Sequence, residues 1–313
     1  VEGTTSYTAL LYIPTNRPYN YFSTDYKLGL KLYSRGVFIM DKAADLIPEH
    51  FRFVRGLVDS QDLSLNISRE MLQHDKQLKV IANRIEKKIK QELETMLRNN
   101  REKYEKFFKN FGLQLKYGIY QSYGMKKDML QDLLLFYSYN EDKMITLKEY
   151  VEAMKENQTM IYYVSGDSID HIKKLPQIEL LKEKGYDILL LTDNVDEFCF
   201  SMMQNYNDKS YKNITQGDLG LESEEEKKEL EEKNEASKGI LTTMKDALAG
   251  KVVDVKLSTH LKSHPVCLVS SEGISFEMEK VFAAMPGQDG SMKAGRILEI
   301  NPDHAIFNAL KKG

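Results

Sequence analysis

The sequence predicts an α/β protein of roughly two domains. Three observations favour this class: strand-like runs near the start, one long amphipathic helical pattern, and a strand–helix–strand succession after residue 159. The chain of 313 residues has the length of about two domains of roughly 150 residues each. Its 42% hydrophobic and 29% charged residues are typical of a globular protein, which excludes disorder for most of the chain.

The first sixty residues predict a set of short strands. Residues 6–13 are rich in aromatic and branched side chains and stop at Pro14, as a strand does. The stretch 28–40 predicts two strands with a turn or bulge at Gly36, and 46–58 predicts a short helix mixed with a strand. The loop between 6–13 and 28–40 has no periodicity. Its aromatic side chains are interpreted either as half-buried packing or as an interaction surface: Tyr19, Tyr21, Phe22 and Tyr26.

Helices follow these strands. The strongest helical pattern covers 69–98, where apolar residues recur at spacings of three and four: Leu78, Ile81, Ile85, Ile89, Leu93 and Leu97. Shorter helices are predicted at about 101–111, 113–121, 125–135 and 146–157. Thr146 is the N-cap candidate of the last one, because its hydroxyl can accept a hydrogen bond from the first turn.

A parallel βαβ unit is predicted from residue 160. A strand at 160–164 precedes a helical stretch at 168–184, which is broken at Pro176, and a nearly continuous apolar strand follows at 187–191. Gly185 stands where a helix C-terminal glycine belongs. A strand without polar alternation is typical of a parallel sheet covered on both faces.

The composition changes sharply at 222–235. This stretch holds eight glutamates and three lysines but a single apolar residue, Leu230, so it predicts a solvated linker or an exposed helix start and a domain boundary. Beyond it the pattern predicts a helix through Ala249, strands at 252–257 and 266–270, and a helix from about 275 to 285.

Charge and cysteine content limit the function classes. With 44 basic and 47 acidic residues the net charge is −3, which argues against a dedicated nucleic-acid-binding protein. Two cysteines cannot form a disulfide framework, so a reducing cytoplasm is the simplest location. No apolar run approaches the roughly 18 residues of a membrane span. The start at Val1 lacks signal-peptide features, and we expect a piece of a longer protein.

The sequence contains no motif of a self-contained active site. It lacks the glycine-rich nucleotide motifs, the HExxH and CxxC metal motifs and the GxSxG nucleophile motif. The tightest metal-like group is His260, His264 and Cys267, which has no fourth ligand nearby and is interpreted as a polar surface turn rather than a zinc site.

One arginine has an unusual setting at the start of the long helix. Asn66 and Ser68 are N-cap candidates, so Arg69 is predicted in the first helical turn and Gln73 one turn further along the same face. A cation is unfavourable at that end of the helix dipole, but an arginine beside free backbone N–H groups suits an incoming phosphate. The alternative is an arginine paired with Asp62.

The predicted helix after Gly273 has a broad apolar stripe. Its residues recur at helical spacing: Ile274, Met278, Val281, Phe282 and Met285. The stripe either packs on the domain's own core or forms an exposed patch for unfolded chains or a partner. Methionine, which is flexible and polarisable, suits the second alternative.

Two stretches carry a specific resemblance to a known family. They are 65–73 (LNISREMLQ) and 51–60 (FRFVRGLVDS), which are similar to the middle domain of bacterial heat-shock protein 90 chaperones. Supporting stretches occur in the family's order: 30–39 (LKLYSRGVFI), 185–193 (GYDILLLTD) and 295–302 (GRILEINP). The resemblance covers essentially the whole chain.

The resemblance implies one part of a three-domain ATPase. This chain would lack the N-terminal ATP-binding domain, which binds ATP and Mg²⁺ in the family, and the closing helices of the dimerisation domain. We therefore expect no cofactor and no catalysis in this chain alone, and a weakened homodimer. The implied layout is a middle domain at 1–220 (a larger αβα unit at about 1–110, a helical connector at about 111–157, a smaller αβα unit at about 158–220), a charged linker at 221–235 and a truncated α+β C-terminal domain at 236–313.

The resemblance also implies roles for residues. Arg69 would reach the γ-phosphate of ATP when the N-terminal domain docks, Gln73 would support the same loop and Asn66 would help to shape it. Client contacts would come from the aromatic loop and from the amphipathic helix: Tyr19, Tyr21, Phe22, Ile274, Met278, Val281 and Phe282. The expected partners are unfolded or partly folded clients and the protein's own ATPase domain, without nucleic acid or membrane. The rival function is a scaffold without ATPase coupling that binds one fixed partner.

Overall fold

The computed structural model describes residues 5–63, 75–258, 261–287 and 290–311. The chain divides into two compact units, residues 1–135 and 136–313. No helix in the described ranges is long and apolar enough to cross a membrane. Both units combine β-sheet with α-helices, so the predicted α/β class is confirmed.

The first unit is built on a four-stranded sheet. Its strands are β1 (Tyr7–Tyr12), β2 (Leu30–Ser34), β3 (Val37–Ala43) and β4 (Arg55–Ser60), in the order β1-β4-β2-β3. Strand β4 is antiparallel to β1 and parallel to β2. The turn between β2 and β3 has positive φ at Arg35 (49°) and Gly36 (77°), which suits a two-residue hairpin turn and confirms the predicted turn. Two 3₁₀ turns, Ala44–Leu46 and Glu49–Phe51, lead into β4.

Two long helices follow the sheet and pack against each other and against the two 3₁₀ turns. Helix α1 (Lys76–Asn99) buries five of the six residues of the predicted apolar face: Leu78, Ile81, Ile85, Ile89 and Leu93. Its N-cap is Asp75, whose carboxylate accepts hydrogen bonds from the Gln77 (2.8 Å) and Leu78 (2.9 Å) backbone N–H groups. The predicted start of this helix at residue 69, capped by Asn66 or Ser68, is therefore wrong. Asp75 is itself a good N-cap residue and directly precedes the apolar face, whereas the prediction chose the earlier cap candidates Asn66 and Ser68.

Helix α2 (Arg101–Gln121) replaces two of the predicted helices. The expected interruption between 111 and 113 does not occur, because Gly112 serves close packing rather than a helix end. A Cβ at Gly112 would lie 2.7 Å from the Phe108 ring. The predicted helix at 125–135 is also shorter than expected and consists of α3 (Lys127–Leu130) and a 3₁₀ turn, Gln131–Leu133.

The core of the first unit combines aromatic rings in edge-on and tilted contact with one buried ionic group. Phe53 lies 5.1 Å from Phe111 and 5.2 Å from Phe107, measured between ring centroids. Close to this core, the buried Glu86 carboxylate lies 2.9 Å from His50 Nε2 and 2.7 Å from Lys126 Nζ. Hydrogen bonding from His50 and Lys126 outweighs burial and lowers the pKa of Glu86 to about 2.

The second unit contains a six-stranded sheet in the order β6-β5-β8-β7-β10-β9. Its strands are β5 (Leu135–Ser138), β6 (Lys143–Thr146), β7 (Met160–Ser165), β8 (Leu189–Leu191), β9 (Asn205–Tyr206) and β10 (Lys209–Asn213). Strands β7 and β8 are parallel, which confirms the predicted βαβ unit. Its helices are α4 (Leu147–Ala153), α5 (Ile169–Ile172), α6 (Ile178–Lys184) and α7 (Asp196–Met203).

Two local predictions in this sheet region are confirmed. Thr146 caps α4 in a capping box with Glu149, in which each side chain accepts a hydrogen bond from the other's backbone N–H. Gly185 ends α6 in the left-handed conformation (φ 69°).

The rest of the second unit is a three-stranded sheet with four helices. The strands β11 (Asp254–Leu257), β12 (Val266–Ser270) and β13 (Arg296–Ile300) have the order β11-β13-β12, and the sequence pattern did not predict β13, the central strand. The helices are α8 (Glu224–Ala236), α9 (Lys238–Ala247), α10 (Phe276–Ala284) and α11 (Ala305–Leu310). The glutamate-rich stretch is thus an exposed helix, and its one apolar residue, Leu230, packs against the core of this sheet.

Candidate functional site

The three residues predicted to act on ATP lie outside the described ranges. Asn66, Arg69 and Gln73 all fall within 64–74. The alternative partner of Arg69, Asp62, accepts a hydrogen bond from the Ser6 backbone N–H at 2.7 Å. Since α1 begins at Lys76, the argument that placed Arg69 in its first turn no longer supports a phosphate site.

The aromatic loop divides into buried and exposed side chains. Tyr21 is only 1% exposed and packs edge-on against Phe111, with 5.7 Å between ring centroids. Burial raises the pKa of the Tyr21 hydroxyl well above its usual range. Tyr19 is fully exposed and Phe22 is 53% exposed, with the Arg17 guanidinium 4.8 Å above the Phe22 ring. Tyr21 therefore holds the loop, and only Tyr19 and Phe22 present apolar surface to a partner.

Two of the residues predicted on the amphipathic helix, Met278 and Val281, line a cleft in the second unit. The cleft has a volume of about 160 Å³ and lies where β7 and β8 end. Because the two strands are parallel, their carboxyl ends meet at one edge of the sheet, and α10 packs across that edge. The lining residues are Ser165, Gly166, Asp167, Leu191, Thr192, Asp193, Asn194, Glu197, Phe198, Glu277, Met278 and Val281.

A buried carboxylate connects the start of α10 to α7. Glu197, which is 4% exposed, accepts hydrogen bonds from the Ser275 hydroxyl and from Asn213 Nδ2 (3.3 Å). Burial raises the pKa of Glu197. The Ser275 hydroxyl also accepts a hydrogen bond from the Met278 backbone N–H at 3.0 Å, so the residue that caps α10 also fixes its position.

The body of α10 is held by surface contacts rather than by burial. No residue of the helix is buried. The Phe282 ring contacts Phe198 edge-on, with 5.4 Å between centroids. The Lys280 ammonium group lies 2.7 Å from Glu277 and 3.5 Å from Asp167, which follows β7. The apolar side chains of the helix are therefore half-buried. They are neither packed into the domain core nor fully exposed, so the structure lies between the two alternatives given by the sequence.

A second ionic group fastens the loop before β12 to α6. The Glu179 carboxylate accepts hydrogen bonds from the backbone N–H groups of Lys262 (3.1 Å) and Ser263 (3.2 Å) and from the Ser263 hydroxyl, and it lies 2.9 Å from His264 Nδ1. Partial burial would raise the pKa of Glu179, but these hydrogen bonds outweigh it and lower the pKa to about 2. We call Glu179 with residues 262–264 the loop clamp.

The loop clamp involves one member of the metal-like group. His264 pairs with Glu179 and Cys267 is buried, while His260 lies outside the described ranges. No group of three or more metal-ligating side chains occurs in the described part of the chain.

Sequence reasoning did not identify several residues of the cleft. Asp167 lies on the loop after β7, and Glu197 and Phe198 lie on α7. None of the three has a local sequence pattern that marks it as a cleft residue. Ser275 was recognisable from the sequence as an N-cap candidate, because it precedes an apolar helical stretch. In the structure its hydroxyl accepts a hydrogen bond from the Met278 backbone N–H. Its second partner, Glu197, is 78 positions away along the chain.

Comparisons with known proteins agree with this architecture. The family model described as Hsp90 protein matches residues 1–313. The chain is 55% identical over 311 residues to the chaperone protein HtpG of Clostridium perfringens, covering 99% of this chain and 49% of the relative. It is 52% identical over 311 residues to the chaperone protein HtpG of Bacillus subtilis, covering 99% of this chain and 50% of the relative. The chain thus spans about half the length of these curated relatives, and it belongs to the Hsp90 family.

Proposed function

We propose that this chain is the part of an ATP-dependent molecular chaperone that captures non-native client proteins at the α10 cleft. The observation that supports it best is the state of α10, whose apolar side chains gather at a cleft although none of its residues is buried. In a stable monomeric core such a helix would bury its apolar face. Here Met278, Val281 and Phe282 remain accessible to a second chain.

The size and chemistry of the cleft suit one large side chain at a time. A volume of about 160 Å³ is small for a drug-sized ligand, which usually occupies roughly 300 Å³ or more. Unfolded chains expose single large apolar side chains of varied shape. Methionine adapts to such variety, because its side chain is flexible and polarisable.

Other apolar surface supplements the cleft in the same proposal. Ile274 is half-buried just before the N-cap of α10, and Tyr19 and Phe22 extend from the aromatic loop of the first unit. Separate weak contacts in each unit suit clients that share no sequence, because each contact needs only an apolar side chain.

A second part of the proposal concerns ATP. We infer that Arg69 reaches the γ-phosphate of ATP bound, with Mg²⁺, in the N-terminal domain of the whole protein, with Gln73 and Asn66 supporting the loop. Membership of the Hsp90 family and the motif at 65–73 support this inference. An arginine at that place stabilises the negative charge that develops on the transferred phosphoryl group. The whole protein would act as a cytoplasmic homodimer without nucleic acid or membrane.

The rival proposal is a scaffold that binds one fixed partner without ATPase coupling. It would use the same apolar surface, so geometry alone does not separate the two. Affinity of the whole protein for two unrelated, permanently unfolded polypeptides does separate them. The chaperone should bind both, and Phe282→Ser should weaken both. Binding to neither, or a Phe282→Ser variant that binds both like the wild type, would refute client capture at this cleft.

A further inference from the structure

The lining of the cleft has a strongly biased charge. Four of its side chains are carboxylic acids (Asp167, Asp193, Glu197 and Glu277), and none of the described lining residues is basic. The apolar contribution comes from Leu191, Phe198, Met278 and Val281. A ligand that fits this surface has an apolar side chain next to a positive charge.

We call Asp167 and Glu277 the acidic rim of the cleft. The chain's own Lys280 indicates which kind of group this rim binds. Its ammonium group lies between Glu277, on α10, and Asp167, on the loop after β7, at 2.7 Å and 3.5 Å. Lys280 comes from the helix that also carries Met278, Val281 and Phe282. A basic group from a helix with large apolar side chains is thus already paired with these carboxylates.

The Lys280 contacts can be exchanged at low cost. The Lys280 side chain is 55% exposed and that of Asp167 is 71% exposed, so both ends of the contact are accessible to solvent. An ion pair between exposed groups contributes little net free energy, because water and salt compete with it. An arriving guanidinium or ammonium group can therefore replace Lys280 without breaking buried structure.

We propose that the cleft selects client segments in which an arginine or lysine adjoins a large apolar residue. The basic side chain pairs with Asp167 and Glu277 in place of Lys280, and the apolar side chain packs against Phe198 and Met278. This inference rests on the proposed function and adds a charge preference to it. Exposed pairs of this kind give roughly a two- to fivefold preference for a basic over an acidic neighbour at low ionic strength.

The test uses the whole protein and three labelled, unstructured peptides. The peptides share one Phe-Leu pair and differ only in the flanking residue, which is Arg, Gln or Glu. Dissociation constants are measured by fluorescence anisotropy at low and high salt. We expect the order Arg, Gln, Glu from tightest to weakest, with a spread that shrinks at high salt because salt screens exposed charges.

Variants assign the preference to the rim. Asp167→Asn should reduce the Arg-over-Glu preference, and Lys280→Ala should tighten the Arg peptide more than the Gln peptide. Asp170→Asn removes an equal charge three residues away, from an exposed carboxylate outside the cleft, and should leave the preference intact. Equal binding of all three peptides, or a preference that Asp167→Asn leaves unchanged, overturns the charge selection but not client capture. Failure of all three peptides to bind overturns both.

Discussion

The loop clamp provides a quantitative test, because one carboxylate holds a whole loop. Glu179→Gln preserves the shape of the side chain and removes its charge. A hydrogen bond to a charged group contributes about 1 kcal/mol more than one between neutral groups, and two backbone N–H groups donate to Glu179. The side chain is 24% exposed, so solvent screens part of this advantage. We expect the loop to lose about 1–2 kcal/mol of local stability.

Amide hydrogen exchange measures this loss where it occurs. The Lys262 and Ser263 amides, which donate to Glu179, should exchange about 5- to 30-fold faster in Glu179→Gln at neutral pH. Glu183→Gln is the matched control, since Glu183 lies on the same helix, is 62% exposed and pairs with Lys262 at 3.4 Å. Glu183→Gln should change the exchange rates of the Lys262 and Ser263 amides little. Unchanged exchange of both amides in Glu179→Gln would refute the clamp.

The pH dependence of the clamp follows from the same carboxylate. The pKa of Glu179 is lowered in the folded chain to about 2, so its contribution is complete above the unfolded pKa of 4.5. The contribution should decline as the pH falls from about 4.5 toward 2. Protection of the two amides in the wild type should follow that decline, while the Glu179→Gln variant should lack this component.

Two further predictions concern the first unit and the whole protein. Glu86→Gln should lower the free energy of unfolding by about 3 kcal/mol at pH 7, from the fall of the Glu86 pKa from 4.5 to about 2, and the difference from the wild type should vanish near pH 2. Urea unfolding followed by circular dichroism measures it, and equal midpoints at pH 7 would contradict the role of the buried group. In the whole protein, Arg69→Ala should reduce kcat for ATP hydrolysis at least tenfold with little change in ATP affinity. Turnover equal to the wild type would return Arg69 to a structural role.

Local signals in the sequence predicted the local structure well. The glycine at 185, the cap at Thr146 and the turn at Gly36 each depend on a few neighbouring residues, and each is present in the structure. The parallel pairing of β7 and β8 was predicted from the nearly continuous apolar run at 187–191. A strand without polar alternation is covered on both faces, as strands of parallel sheets are.

Errors arose where packing decides between local alternatives. Gly112 is a helix breaker by propensity, but close contact with Phe108 keeps it inside one continuous helix. The start of α1 was predicted too early because Asn66 and Ser68 are also good cap residues, and local pattern does not rank them against Asp75. Strand β13 is central only because β11 and β12 pair with it from both sides, which depends on distant parts of the chain.

The candidate site could be predicted only in part for the same reason. The apolar stripe of α10 was visible as a periodic pattern. The ring contact of Phe282 with Phe198 and the hydrogen bond from Ser275 to Glu197, which lies 78 positions away, join distant segments that no spacing rule reveals. The sequence left core packing and an exposed patch as alternatives, and the structure lies between them.

The most direct measurement for the central proposal is client affinity of the whole protein after single changes on the two sides of the cleft. An aromatic contact contributes about 0.5–1.5 kcal/mol beyond its buried area, so Phe198→Ser and Phe282→Ser should each weaken binding of a labelled unfolded client roughly fivefold or more. Ile306→Ser removes an apolar side chain that is 48% exposed and lies outside the cleft, and this variant should bind like the wild type. If both phenylalanine variants retain wild-type affinity while remaining folded, the α10 cleft does not capture clients.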